Sequence, residues 1–133
     1  MAASGGCLCG AVSFSMGLPS IWVAHCHCTM CQRAHGAALV TWVGADESRV
    51  LLRDPPGYLK WFASSDEAQR GFCSRCGSTM FFRSSKWPGE LHIARANFVD
   101  PVDRAPQAHA YYDTHVEWLT INDRLPKKSA PAG

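Results

Sequence analysis

Seven cysteines, gathered in three tight groups, constrain this chain more than any other feature. They stand as C-x-C at Cys7 and Cys9, C-x-C-x-x-C at Cys26, Cys28 and Cys31, and C-x-x-C at Cys73 and Cys76. No cysteine lies outside a group. Incidental core thiols would scatter, whereas thiols at these spacings read as metal ligands. The odd number argues against a disulfide framework. So does the N-terminus, "MAASGGCLCG", which lacks a basic n-region and an apolar h-region. A cytoplasmic protein with reduced thiols is therefore expected.

Other bounds are consistent with that. A chain of 133 residues suggests one domain, here residues 1–125, followed by a polar, proline-containing tail at 126–133 that is expected to be mobile. The hydrophobic fraction of 47% and charged fraction of 18% are those of a globular protein with a real core. No apolar run reaches the roughly 20 residues that span a bilayer, so no membrane partner is expected. The formal charge of +2 is spread over interspersed acids and bases. Without a basic face or run, no nucleic-acid partner is expected either. Nothing in the sequence fixes an oligomeric state.

Periodicity points to an all-β protein of about ten short strands with turn signals between them. In "CLCGAVSFSM", Val12 and Phe14 alternate with Ser13 and Ser15. "IWVAHCHC", "AALVTWVG", Val50–Arg53, "YLKWFAS" and "ELHIARANF" read as further strands, and "QRGFCSRCGSTMFFRSS" reads as strand, knuckle, strand. "HAYYD" and "VEWLTI" (116–121) are short strand candidates near the end. One short helical turn is predicted over 29–36, with Thr29 as N-cap and Gly36 as terminator.

The cysteine groups assort into two sites. "CSRCG" and "CLCG" each put two thiols on a tight turn closed by a glycine. Together Cys7, Cys9, Cys73 and Cys76 make a Cys₄ set that fills the shell of a structural zinc. A redox C-x-x-C would sit at the start of a helix, and "TMFFRSS" after Cys76 reads as strand. The second group, Cys26, Cys28 and Cys31, is one ligand short. In an extended segment Cys26 and Cys28 face one way and His25 and His27 the other. His35, one helical turn after Cys31, is a candidate fourth ligand. Either His35 closes a second structural site, or the fourth position is open. An open Cys₃ zinc is anionic and acidifies water poorly. It suits exchange of a soft ligand such as a thiol, which it would present as a thiolate to an electrophile such as an aldehyde.

The segments "CLCGAVSF", "HCHCTMCQRAHGAALVTWVG", "FCSRCGSTMFF" and, more loosely, "HAYYDTHVEWLTINDRLP" resemble the glutathione-dependent formaldehyde-activating family, which includes centromere protein V. They cover nearly the whole chain in the family's order. The resemblance implies a small, tent-like all-β fold. Two zincs per chain are expected, the second, at a solvent-open site, held less fully than the first. The resemblance implies that Cys7, Cys9, Cys73 and Cys76 hold a structural zinc, and that Cys26, Cys28 and Cys31 hold a catalytic-type zinc. The implied activity is addition of glutathione, as cosubstrate, to formaldehyde, giving S-hydroxymethylglutathione. Read in reverse it is a carbon–sulfur lyase reaction. The partners would be a small thiol and a small aldehyde.

Glutathione carries two carboxylates, and Arg33, beside the second motif, is the candidate to bind them. Arg70 and Arg75, flanking the knuckle, are expected in solvent, and Trp42 and Trp61 in the core. No general base stands out. The alternative is a non-catalytic module: either both zincs are structural, or the chain binds glutathione without accelerating a reaction.

Overall fold

The computed structural model describes residues 1–131. These described residues are mostly strand, with one short α-helix and two open sheets. The first sheet has three antiparallel strands in the order β1-β2-β5: β1 (Ala2–Gly6), β2 (Ser13–Gly17) and β5 (Val50–Arg53). The second has seven, in the order β10-β3-β4-β9-β8-β7-β6. These are β3 (Trp22–Cys26), β4 (Val40–Asp46), β6 (Leu59–Ala63), β7 (Ala68–Cys73), β8 (Thr79–Ser84), β9 (Glu90–Ala94) and β10 (His109–Ala110). Its pairs are antiparallel except that of β10 with β3.

The alternation in the sequence builds the main core. Phe14 and Met16 of β2 turn inward while Ser13 and Ser15 stay half-exposed. They meet Val23, Val43, Ala45, Leu91, Ile93 and Phe81 from one face of the second sheet. Phe14 packs edge-on against Phe81 and Phe98, at 5.7 and 4.9 Å between ring centroids. Residues paired across a ladder share a face. The opposite face of the large sheet therefore carries Cys26 beside Val40, Ala24 beside Trp42 and Ala94, and the row Trp22, Gly44, His92, Phe82, Arg70. A Cβ on Gly44 would sit 2.3 Å from Cε2 of Trp22, so glycine is what lets that indole lie flat on the sheet.

Two local expectations are corrected. Helix α1 (Thr29–His35) begins one residue earlier in its cap than predicted. Cys28 is the N-cap, its Sγ accepting from the Cys31 N–H at 3.3 Å, and Thr29 is the first helical residue. Gly36 closes the helix in the left-handed conformation, as expected. Residues 116–121 form no strand, and Trp118 is 75% exposed, because no neighbouring strand edge pairs with them. Residues 2–6, by contrast, do form a strand. The tail is tied to β10 by backbone hydrogen bonds from His109 N to Pro126 O (2.8 Å) and from Tyr111 N to Ala130 O (3.2 Å). Residues 132 and 133 of that tail lie outside the described residues.

Candidate metal centres and active site

Both cysteine groupings read from the sequence assemble in space, and none of the seven thiols is in a disulfide. The sulfurs of Cys7, Cys9, Cys73 and Cys76 lie within 4.8 Å of one another. Tetrahedral zinc with Zn–S near 2.3 Å places sulfurs about 3.8 Å apart. Here Cys7 to Cys9 is 3.6 Å and Cys9 to Cys73 is 3.8 Å. The donor set thus fits a four-thiolate metal. The two turns that hold it are alike, with Gly10 and Gly77 at φ 80° and 78°. Such left-handed residues let backbone groups fold back toward sulfur. Val12 N–H donates to Cys7 Sγ at 3.3 Å, and the Ser78 hydroxyl lies 3.2 Å from Cys76 Sγ. Contact with Ser78 helps to lower the Cys76 thiol to about 5.

The second centre gathers Cys26, Cys28 and Cys31, with sulfurs also within 4.8 Å of one another. Cys26 ends β3, Cys28 caps α1, and Cys31 faces inward from the first turn of that helix. Among the described residues no fourth side chain joins this group. His35 lies on α1 one turn beyond Cys31 but outside the grouping. Its ring is edge-on to Trp42 at 5.3 Å, and its Nε2 is buried without a hydrogen-bond partner. Burial first, then the Arg70 charge, lower its pKa to about 4.

The thiols are electrostatically coupled. Hydrogen bonds from Cys26 and Cys31 hold Cys28 down, to about 2, while the same contacts and burial push Cys26 up. One proton is thus lost from the cluster more readily than the others.

Arg70 is the main surprise. It is 6% exposed, not solvated as expected. Its Nη1 lies 3.5 Å from Cys31 Sγ, and its guanidinium stands over the Phe82 ring at 5.0 Å. No carboxylate pairs with it among the described residues. A buried cation needs a counter-charge, and the thiolates are what the fold offers. Arg33 lies exposed on α1, and Arg75 is exposed, near Tyr58.

Aromatic side chains share an apolar group with two of these cysteines, Cys26 and Cys31. Trp42 is buried against it, and Trp22, Phe82 and Tyr111 pack on it half-buried. Trp61 lies instead beside the main core. Tyr111 holds a left-handed backbone, φ 53°, unusual for a bulky residue. Burial, and then negative charge on Cys26, Cys28 and Cys31, raise its pKa and keep its hydroxyl protonated.

The C-terminal part of the chain braces the ligand loop. The carbonyl of His27, between two ligand cysteines, accepts from Gln32 Nε2 (2.8 Å) and Thr114 Oγ1 (2.9 Å). His27 and His109, both 1% exposed, are joined Nε2 to Nδ1 at 2.7 Å, and His109 reaches Asp123 at 2.9 Å. His25 is occupied with Thr41, at 2.8 Å. The histidines flanking Cys26 therefore serve a buried network on the other side of β3, as the alternation of the strand requires.

Residues 2–114 match the family described as glutathione-dependent formaldehyde-activating enzyme. A Halomonas elongata protein, named provisionally as a glutathione-dependent formaldehyde-activating enzyme, is 25% identical over 131 residues, covering 93% of this chain and 83% of its own. A crystal structure of a Rhodobacter sphaeroides protein superposes with a TM-score of 0.62 at 23% identity, over 76% of this chain and 92% of that one. The last likeness is one of fold.

Proposed function

The chain belongs to the family of glutathione-dependent formaldehyde-activating enzymes, and from that premise we propose that it adds a small thiol, glutathione, to a small aldehyde, formaldehyde, at the Cys26, Cys28, Cys31 cluster. The observation that carries this reading is three converging thiols with no fourth protein ligand among the described residues, backed by a buried arginine. In this reading Cys7, Cys9, Cys73 and Cys76 hold a structural zinc. Cys26, Cys28 and Cys31 hold a second one, which when bound supplies the Lewis acidity that makes a thiol a thiolate near neutral pH.

The chain's own residues do the rest. Three cysteines approach from the end of β3, the cap of α1 and its first turn, and supply three of the four ligands a tetrahedral metal takes. Arg70 offsets the net negative charge that three thiolates and a divalent cation would carry. Trp42, Phe82 and Tyr111 exclude water from the same side of the sheet. Tyr111 keeps a proton on its hydroxyl beside the thiols. One carbon–sulfur bond forms, the carbonyl π bond opens, and the thiol hydrogen ends on the new hydroxyl oxygen. Nothing is oxidised or reduced, so the addition needs no redox cofactor. The reverse direction is a carbon–sulfur lyase.

Cys28→Ser in zinc-loaded protein tests the assignment. Adduct formation should fall to the spontaneous rate while the Cys₄ zinc is retained. Unchanged turnover would remove the second centre from the reaction. His35→Ala separates this reading from a closed structural site: the enzyme reading expects the second zinc to stay.

A further inference from the structure

We propose that the cleft between the end of α1 and the turn after β9 binds the carboxylate end of the thiol cosubstrate, with Arg95 as the residue that reads it. This rests on the thiol-addition reading above. The cleft has a volume of about 500 Å³, in the range of pockets that take small molecules. Its position ties it to the thiol cluster. Val40 and Ala94 line the cleft, and both also pack in one cluster with Cys26 and Cys31. Val40 is also the ladder partner of Cys26, so the cleft begins one strand away from a ligand cysteine.

Its polar groups are few and unspent. His35 lines the cleft and carries a buried Nε2 with no partner. A buried polar nitrogen left unpaired by the protein is unusual and leaves one hydrogen bond still to be made. Arg95 stands half-buried in the turn Arg95–Asn97, its guanidinium near the Phe98 ring at 5.8 Å. It has no carboxylate partner among the described residues. An arginine in a largely apolar cleft, without an acid beside it, suits a planar carboxylate.

The rival sites fit less well. A second cleft, of about 460 Å³, is lined by Glu47, Asp66, Glu67 and Glu90, and its Arg83 lies 3.8 Å from Glu47. That charge repels a carboxylate ligand. Arg33 lies on α1 but does not line this cleft.

The test is calorimetric titration of the zinc-loaded full chain with glutathione and with 2-mercaptoethanol, a thiol that has no carboxylate. Arg95→Gln should weaken glutathione at least about tenfold, the size of one lost charge-assisted hydrogen bond, and leave 2-mercaptoethanol unchanged. Ala37→Trp, which plugs the cleft from an exposed position, should do the same. The proposal is overturned if neither variant changes glutathione binding, if Arg95→Gln weakens both thiols equally, or if Arg33→Gln produces the loss instead. Failure of the wild-type chain to bind glutathione at all would instead sink the thiol-addition reading, and this inference with it.

Discussion

The Cys₄ centre joins parts of the chain far apart in sequence, and its worth can be sized from that separation. Cys9 and Cys73 are 64 residues apart. Treating the metal as a cross-link, the chain-entropy relation for a loop of that length gives about 4 kcal/mol. For a chain of this size that is about 12–16 °C in melting temperature. The perturbation is Cys9→Ser combined with Cys76→Ser. It removes one ligand from each turn, and both side chains are at least partly exposed, so little packing is lost with them. The assay is thermal unfolding followed by calorimetry, with metal content measured on the same sample. As a control, Cys28→Ser disrupts a cluster that spans only Cys26 to Cys31. The same relation gives about 2 kcal/mol there, half the shift. A double variant that has lost its metal yet melts within about 4 °C of the wild type would refute the cross-link argument.

Other consequences follow from particular side chains. In metal-free protein, Arg70→Met removes the charge that helps to lower Cys28 and Cys31, so the pH profile of iodoacetamide alkylation at the cluster should move up by about one unit or more; an unmoved profile would mean that Arg70 does not compensate the thiolates. Burial lowers the pKa of His35, to about 4, and that of His92 against the pull of Glu90. Because the unfolded histidines bind protons first, stability should be full above about pH 6.5 and fall from there toward pH 4, by about 2 kcal/mol for His35 once solvent screening of its partly exposed ring is allowed for. A urea midpoint that stays flat over that window would contradict their burial as neutral rings. Gly44→Ala drives a methyl into the Trp22 indole and should cost about 1–3 kcal/mol in urea unfolding, with a shift in tryptophan fluorescence; an unchanged midpoint would show that Trp22 does not lie on Gly44.

What the sequence revealed and what it hid divide by range. The two cysteine sets were legible because ligand spacing is local and each turn declares its own pair. The alternation of Phe14 and Met16 with serines gave β2 for the same reason. β1 was not legible: "AASGG" has no hydrophobic rhythm, and its strand exists because small residues let it approach the 97–98 backbone, where a Cβ on Gly5 would meet Asn97 O at 2.1 Å. Conversely, 116–121 has the composition of a strand and no partner. Arg70 was misread because its burial depends on register with Phe82 and on Cys31, 39 residues away. Nothing near Arg70 in sequence announces either. The helix cap moved from Thr29 to Cys28 because a thiol aimed at the cluster also reaches the N–H of Cys31.

The central claim is that the second cysteine cluster holds a metal with a place for a thiol. It is tested most directly by measuring zinc per chain in freshly purified protein while a chelator is added, with and without glutathione. The account predicts two zincs, one resistant to the chelator and one removed easily unless glutathione protects it. A single tight zinc, or two that ignore glutathione, would contradict it.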